Sequence, residues 1–232
     1  MIWYHGISCA DVRVVVERYP NVILPSRKQE KISVPGRSGD ILLQQDAWEN
    51  VRQPYDIYIS AERPRLCAVA HQVAEWLLVP GYNRLEDSYW LDYFRLATYA
   101  GGAEIENVLG RFGRATIEFD CLPQRWLKSG EHPVPVSGPI DLMNPTPYTA
   151  APLITVSGGA GAGAVTVGDY TIELDRCDGV LLDCENEDAT RNGQNFNLSV
   201  SGRFPKLPAG KIPVSFSGAV QGLQIVPRWY TL

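Results

Sequence analysis

Lys31-Ile32-Ser33-Val34-Pro35-Gly36-Arg37-Ser38-Gly39-Asp40-Ile41-Leu42 is the stretch on which the reading of this chain turns. Residues 31–34 are a short run with β-branched members. Residues 34–40 hold the proline, the two glycines and the aspartate of a tight turn, and Ile41-Leu42-Leu43 lead away as a second apolar run, so a hairpin is the simplest account. Upstream, residues 12–16 (VRVVV) read as another short strand, while Pro20 and Pro25 suit residues 19–25 to a strand edge or a loop. Downstream, residues 55–60 supply a further strand. The single convincing helix covers residues 64–78, where Leu66, Val69, Ala70, Val73 and Leu77 fall at i, i+3, i+4, i+7 and i+11. Pro64 sits where a first helical residue belongs, and Val79-Pro80-Gly81 ends the segment. Residues 89–99 are aromatic-rich and read as a strand with a turn at Gly101-Gly102. Residues 113–121 alternate in period two, with Ala115, Ile117, Phe119 and Cys121 on one face and Thr116, Glu118 and Asp120 on the other.

The composition suits a folded protein rich in turns. The chain has 232 residues, 45% hydrophobic and 20% charged, with 21 glycines and 17 prolines, which inclines the class toward β. Lys and Arg number 21 against 26 Asp and Glu, a net charge of -5 that leaves no cation excess for non-specific nucleic-acid binding. The five cysteines (Cys9, Cys67, Cys121, Cys177, Cys184) are an odd set without a CxxC pair, so neither a disulfide framework nor a structural zinc site is indicated, and reduced, mostly buried thiols are expected. The first residues lack a basic region followed by an apolar one, and no apolar run approaches the roughly 18–20 residues of a membrane span. A protein made and folded in a reducing cytoplasm is expected.

Prolines crowd residues 128–152, a stretch short of helix signals, and the domain boundary is expected there: a first domain over 1–133, a Pro-rich linker over 134–151 and a second domain over 152–232. The second domain carries short strand-like runs at residues 153–156, 164–167, 170–174, 179–183, 196–200, 213–217 and 223–226, with Asn192-Gly193 as a hairpin turn. Their close spacing favours a β-sandwich.

Residues that could carry chemistry are few. Gly159-Ala160-Gly161-Ala162-Gly163-Ala164 satisfies a dinucleotide-binding pattern on paper, but a strand and not a helix follows it, so a loop between strands is expected. Asp175, Asp178, Asp183, Glu185, Glu187 and Asp188 form an acidic cluster of the residue type that glycoside hydrolysis or calcium binding uses, yet the spacing misses the EF-hand, and surface charge near turns is the expected role. His5, His71 and His132 are dispersed, Cys9 near His5 makes no nominated pair, and His71 is expected on the helix surface. Asn197-Leu198-Ser199 matches a glycosylation sequon. Trp126, Trp229 and Tyr230 suit either sugar-stacking platforms or internal packing, with packing favoured. No catalytic residue, metal site or cofactor is expected.

The order of these parts resembles the distal tail protein of long-tailed, non-contractile bacteriophages. The resemblance rests on the Val34-Pro35-Gly36-Arg37-Ser38-Gly39-Asp40 hairpin, the early Gly6, the single helix, Phe119-Asp120-Cys121-Leu122-Pro123 closing the first domain, and Leu181 to Glu185 and Phe204 to Gly210 in the second. It implies a mainly β chain: an N-terminal β-barrel or rolled sheet with one α-helix, followed by a galectin-like β-sandwich. It further implies a homohexameric ring at the virion tail tip, joining the tail tube protein to the hub and, through the outer domains, to receptor-binding proteins. The interface candidates are Val34, Pro35, Gly36, Arg37, Gly39 and Asp40, projecting toward a neighbouring subunit or the tube. In the competing account Gly36 and Gly39 only supply unusual backbone dihedrals, and Arg37 pairs with Asp40 inside the turn. The alternative function is a carbohydrate-binding sandwich using Trp or Tyr platforms, and a glycosidase using the acidic cluster stands third.

Overall fold

The long strand Phe112–Leu127 organises the first half of the protein, because its alternation buries Ile117, Phe119 and Cys121 on one side. The computed structural model describes residues 1–60, 66–108 and 112–232. Val51–Ser60 lies antiparallel to the long strand in a continuous register from Phe112 opposite Ser60 to Cys121 opposite Val51. The curled sheet runs in the order Ile7–Ser8, Ile2–Tyr4, Asn83–Asp87, Tyr93–Tyr99, Phe112–Leu127, Val51–Ser60, Val14–Val16. Its concave side is closed by the helix Leu66–Leu77, which buries Leu66, Val69, Val73, Trp76 and Leu77. Trp76 donates its indole N–H to the carbonyl of Tyr4 (3.3 Å), and the Tyr4 ring packs on Phe119 at 4.9 Å, so helix and sheet share one aromatic centre. Pro64, the expected first helical residue, lies outside the described residues.

Two of the expected strands begin later than their composition suggests. Cys9–Val12 is a 3₁₀ turn held by a capping box in which Ser8 and Asp11 exchange side-chain and backbone bonds, leaving Val14–Val16 as the strand. Asp87 accepts from the backbone N–H groups of both Tyr89 and Trp90 at 2.9 Å, which bends residues 88–92 into a turn and starts the strand at Tyr93.

The chain separates into two compact units, residues 1–125 with Leu232 and residues 126–231, so the division falls before the expected linker and not within it. Residues 134–151 are part of the second unit's fold: Val134–Val136 and Ile140–Asn144 both pair with the long strand Gly210–Val226. Proline content misleads here because Val134–Val136 lies at the end of its sheet, where Pro135 needs to donate nothing. The turn that follows is pinned by Asn144, only 3% exposed. It donates to the carbonyls of Tyr148 (2.9 Å) and Leu207 (3.0 Å) and accepts from the backbone N–H and the hydroxyl of Thr146 (both 2.9 Å).

The second unit is a β-sandwich-type assembly built on Leu153–Val167 and Gly210–Val226, paired antiparallel along most of their lengths. The Gly/Ala segment expected as a loop runs through the middle of the first of these strands. Register shifts flank Gly158, and a Cβ on Gly158 would stand 2.3 Å from the Ala219 carbonyl oxygen, so glycine is required by close backbone approach rather than by a turn. The runs at 213–217 and 223–226 are likewise one strand, which passes through Gly218 with a φ of +72°. Residues 196–200 depart from the expected strand: Asn197–Ser199 is a 3₁₀ turn, because Asn197 accepts from the Ala189 N–H and donates to Asp188. Asn192 and Gly193 both take positive φ between the paired residues Arg191 and Gln194, the two-residue hairpin that their types suggest. Leu66–Leu77 is the only α-helix among the described residues, and no helix among them is long and apolar enough to cross a membrane.

Asn144 carries a stability prediction. Replacing it with Ala leaves the Thr146 N–H without a partner, at roughly 1–3 kcal/mol for a buried group left unpaired, and removes one of two donors from the Tyr148 and Leu207 carbonyls, which keep the Thr146 hydroxyl (3.2 Å) and the Ala150 N–H (3.0 Å). The Asn144→Ala protein is expected to lose about 2 kcal/mol of unfolding free energy and to unfold at a lower urea midpoint; an unchanged midpoint would show that solvent reaches the Thr146 N–H.

Candidate assembly surface

The hairpin read from residues 31–42 is present and longer than the sequence suggests. Arg27–Ile32 pairs with Ile41–Trp48, setting Ile32 opposite Ile41, Lys31 opposite Leu42, Glu30 opposite Leu43 and Gln29 opposite Gln44. The two strands form a sheet of their own, and every residue from 27 to 46 is exposed. Opposed residues share a face and the pleat alternates, so Ile32, Ile41 and Leu43 lie together on one side, with Leu42 and Lys31 on the other. Ile32, Ile41 and Leu43 remain 39%, 36% and 49% exposed. The preceding loop adds exposed Tyr19, Val22 and Leu24.

The root of this arm is fixed. Glu49 donates its N–H to the Ser26 carbonyl (2.8 Å) and its carboxylate accepts from the Ser26 hydroxyl (2.9 Å), while the Arg27 guanidinium lies 4.7 Å from the centre of the Trp48 ring. At the tip, Arg37 N–H donates to the Val34 carbonyl (3.1 Å) across Pro35 and Gly36, and Gly36 has a φ of +83°, the geometry of a type II turn. Gly39 also has a φ of +83°. The glycines therefore do supply the unusual dihedrals, but the side chains of Arg37 and Asp40 make no ion pair with each other and no bond to another described residue.

A second feature of the first unit was not legible in the sequence. An apolar cleft of about 230 Å³ lies beside the helix, lined by Ile57, Val73, Leu77, Tyr99, Ile105 and Ile117 and walled by the small residues Ala70, Ala74, Gly101, Gly102, Ala103 and Ala115. The run of small residues at 100–103 was a usable signal, but periodicity shows only which faces are apolar and not where they fail to meet.

The remaining candidates are accounted for by packing and pairing. Asp178 pairs with Arg191 and with Arg176 (3.2 Å), and Arg191 above all holds its carboxyl down at about 2. Burial acts to raise the Asp183 carboxyl, but hydrogen bonds from Arg228 (2.7 Å) and Asn186 (2.9 Å) outweigh it and the net shift is downward. Asp188 accepts from Asn197. The acidic cluster is thus broken up among guanidinium and amide donors, and no group of three metal-ligating side chains occurs among the described residues. Cys9, Cys121, Cys177 and Cys184 are buried and Cys67 is exposed, and burial pushes the Cys121 thiol up to about 11 and that of Cys184 to about 12, the opposite of an activated nucleophile. His5 bonds to Asn83 (2.8 Å) and His71 faces Glu75 on the helix surface (3.7 Å). Trp229 is buried, and the Tyr230 ring is flanked by Trp126 at 5.5 Å and by Tyr148 at 5.6 Å, which favours packing over a free platform. A more open cleft of about 440 Å³ on the second unit is lined by Tyr170, Glu187, Gly202, Arg203, Phe204 and Lys206.

No protein-family model and no curated protein sequence matches the chain. Among solved structures it is similar to the crystal structure of the Dit protein (gp 19.1) of phage SPP1, described as a paradigm of the hub adsorption apparatus in phages that infect Gram-positive bacteria. The TM-score is 0.78 at 15% identity, covering 100% of this chain and 98% of that one. The likeness establishes a shared fold over the whole length.

The pairing of Asp178 sets a pH dependence. Its carboxyl is held below the ordinary value of about 3.9, so its stabilising contribution is fully present above that value and is lost as pH falls from about 4 toward 2. The gap in stability between the parent protein and an Arg191→Gln variant is expected to narrow over that window in urea titrations at successive pH values; a constant gap would show that the pair contributes nothing specific.

Proposed function

We propose that this chain is a structural adaptor of a phage tail tip, whose copies join side by side into a homohexameric ring between the tail tube protein and the hub. In this reading the second, galectin-like unit is directed outward to receptor-binding proteins, and the protein is made and folded in the cytoplasm of a bacterial host. The observation that carries it is the arm: a two-stranded sheet with uncovered aliphatic side chains and an unpaired Arg37 and Asp40 at its tip, on a fold shared end to end with a hub adsorption protein. A cyclic ring needs a heterologous interface, in which one patch of each copy meets a different patch of the next, and a projecting arm provides one half of such an interface. Val34, Pro35, Gly36, Arg37, Gly39 and Asp40 are its contact residues. No catalytic role is assigned, in keeping with its likeness to a protein described as a paradigm of the hub adsorption apparatus.

A second reading, glycan attachment by the sandwich, is favoured by one observation, the cleft that sets Tyr170 and Phe204 beside Arg203, Lys206 and Glu187. Glycan-array binding that is lost in a Tyr170→Ala, Phe204→Ala protein would support it.

The purified protein is expected to reach about 154 kDa by light scattering, six times the 25.7 kDa chain, and to give six-fold class averages in negative stain. Arg37→Glu is expected to reduce assembly at unchanged melting temperature. A protein that stays monomeric at every concentration overturns the ring, and unaltered assembly of the Arg37→Glu protein removes Arg37 from the interface.

A further inference from the structure

We propose that the cleft beside the helix Leu66–Leu77 is the receptor for the arm of a neighbouring copy, with Ile32, Ile41 and Leu43 of one chain seated on Ile57, Leu77, Tyr99 and Ile105 of the next. The inference rests on the ring reading and adds to it the second half of the interface.

Each chain carries both an unsatisfied donor and an unsatisfied acceptor. The arm presents three aliphatic side chains on one face, and no third strand or helix among the described residues covers them. The cleft is an apolar recess of about 230 Å³ that the described side chains leave open, with alanine and glycine in part of its wall where leucine-sized residues would narrow it. An apolar cavity of about 150 Å³ takes a benzene ring, so this recess has room for a leucine or isoleucine side chain and part of a second.

The charges agree in sign. Among the described residues next in sequence to those lining the cleft, Glu75, Glu104 and Glu106 are exposed acids, while the exposed bases His71 and Arg114 each lie against a carboxylate, His71 against Glu75 and Arg114 against Glu17 (3.1 Å). The distal arm, residues 28–40, carries Lys28, Lys31 and Arg37 against Glu30 and Asp40. Donor and acceptor are different patches of the same unit, so the contact is heterologous and propagates from copy to copy, as a ring requires and a two-fold dimer does not.

Two exposed residues on the acceptor make the test direct. Leu78 lines the cleft and is 69% exposed, and Cys67, the only exposed cysteine, precedes Ala70 of the cleft wall by one helical turn. A Leu43→Cys protein treated with a flexible bismaleimide is expected to give a ladder of covalent oligomers on denaturing gels. Removing the helix thiol as well, in Leu43→Cys, Cys67→Ser, should reduce the ladder to background. Separately, Leu78→Glu is expected to raise the concentration for half-assembly by about tenfold or more without changing the melting temperature. Ring-sized particles that give no ladder and tolerate Leu78→Glu would overturn the inference while leaving the ring intact, as would a cleft that serves a different tail protein. A parent protein that never leaves the monomer overturns the ring and this inference together.

Discussion

A ribbon of two strands has two faces and no neighbour to bury either. The arm's own ladder, from Ile32–Ile41 down to Gln29–Gln44, satisfies the inward-facing backbone groups and leaves both outer edges without a neighbouring strand, so what it offers a partner is side-chain surface as well as hydrogen-bonding edges. That surface is modest. Fully burying an aliphatic side chain contributes about 1.5–3 kcal/mol, and with 36–49% of each residue still exposed, Ile32, Ile41 and Leu43 hold roughly 2–4 kcal/mol in reserve between them. Such a reserve is wasted on a free monomer and insufficient for a tight pair, which is why the arm reads as one element of a multivalent assembly.

The rest of the first unit holds the arm in place. Its return strand ends at Trp48, and within three residues the chain enters Val51–Ser60, where Val51, Tyr55, Ile57 and Ile59 are buried against the long strand. The Ser26–Glu49 bonds clamp the two legs at this exit, and Arg27 packs on Trp48 beside them. Ordering an arm costs conformational entropy at the moment of association; an arm rooted in the core has much of that cost met in advance by folding. The helix and strand walls of the cleft are fixed by the core that buries Ile57 and Ile117, and residues 101–105 line it from the connection after Tyr93–Tyr99.

The sequence reveals elements where local chemistry decides them and misleads where a distant backbone decides. Asn192-Gly193 and the Val34 to Arg37 turn are legible because their φ requirements are local, and the helix is legible because its stripe reports one buried face. Gly158 and Gly163 look like a loop because the carbonyls of Ala219 and Ser217, which exclude any side chain there, lie more than fifty residues away. The prolines of residues 133–152 look like a linker for the same reason: that Pro135 sits on an edge strand is a property of the sheet and not of the segment. Of the candidate site, the arm and its tip residues were readable from turn residues and apolar runs, whereas the cleft is a void between three elements and leaves only a trace, in the small residues at 100–103.

The strength of the contact bears on how the proposed ring forms. A reserve of roughly 2–4 kcal/mol, with a similar contribution from the cleft, gives roughly 4–8 kcal/mol, and the roughly 4 kcal/mol or more lost on immobilising two chains leaves a pairwise contact of about millimolar affinity at best. An open chain of copies held by such contacts dissociates from its ends. A closed ring has no ends: each copy gives an arm and receives one, so removing a copy breaks two contacts together, and the second is held at the high effective concentration that the first imposes. Assembly of this kind passes from monomer to ring with few intermediates. The same arithmetic favours an arm that is apolar and cleft walls that are small: a tighter contact would trap open chains of the wrong number, whereas a weak one is revised until the ring closes.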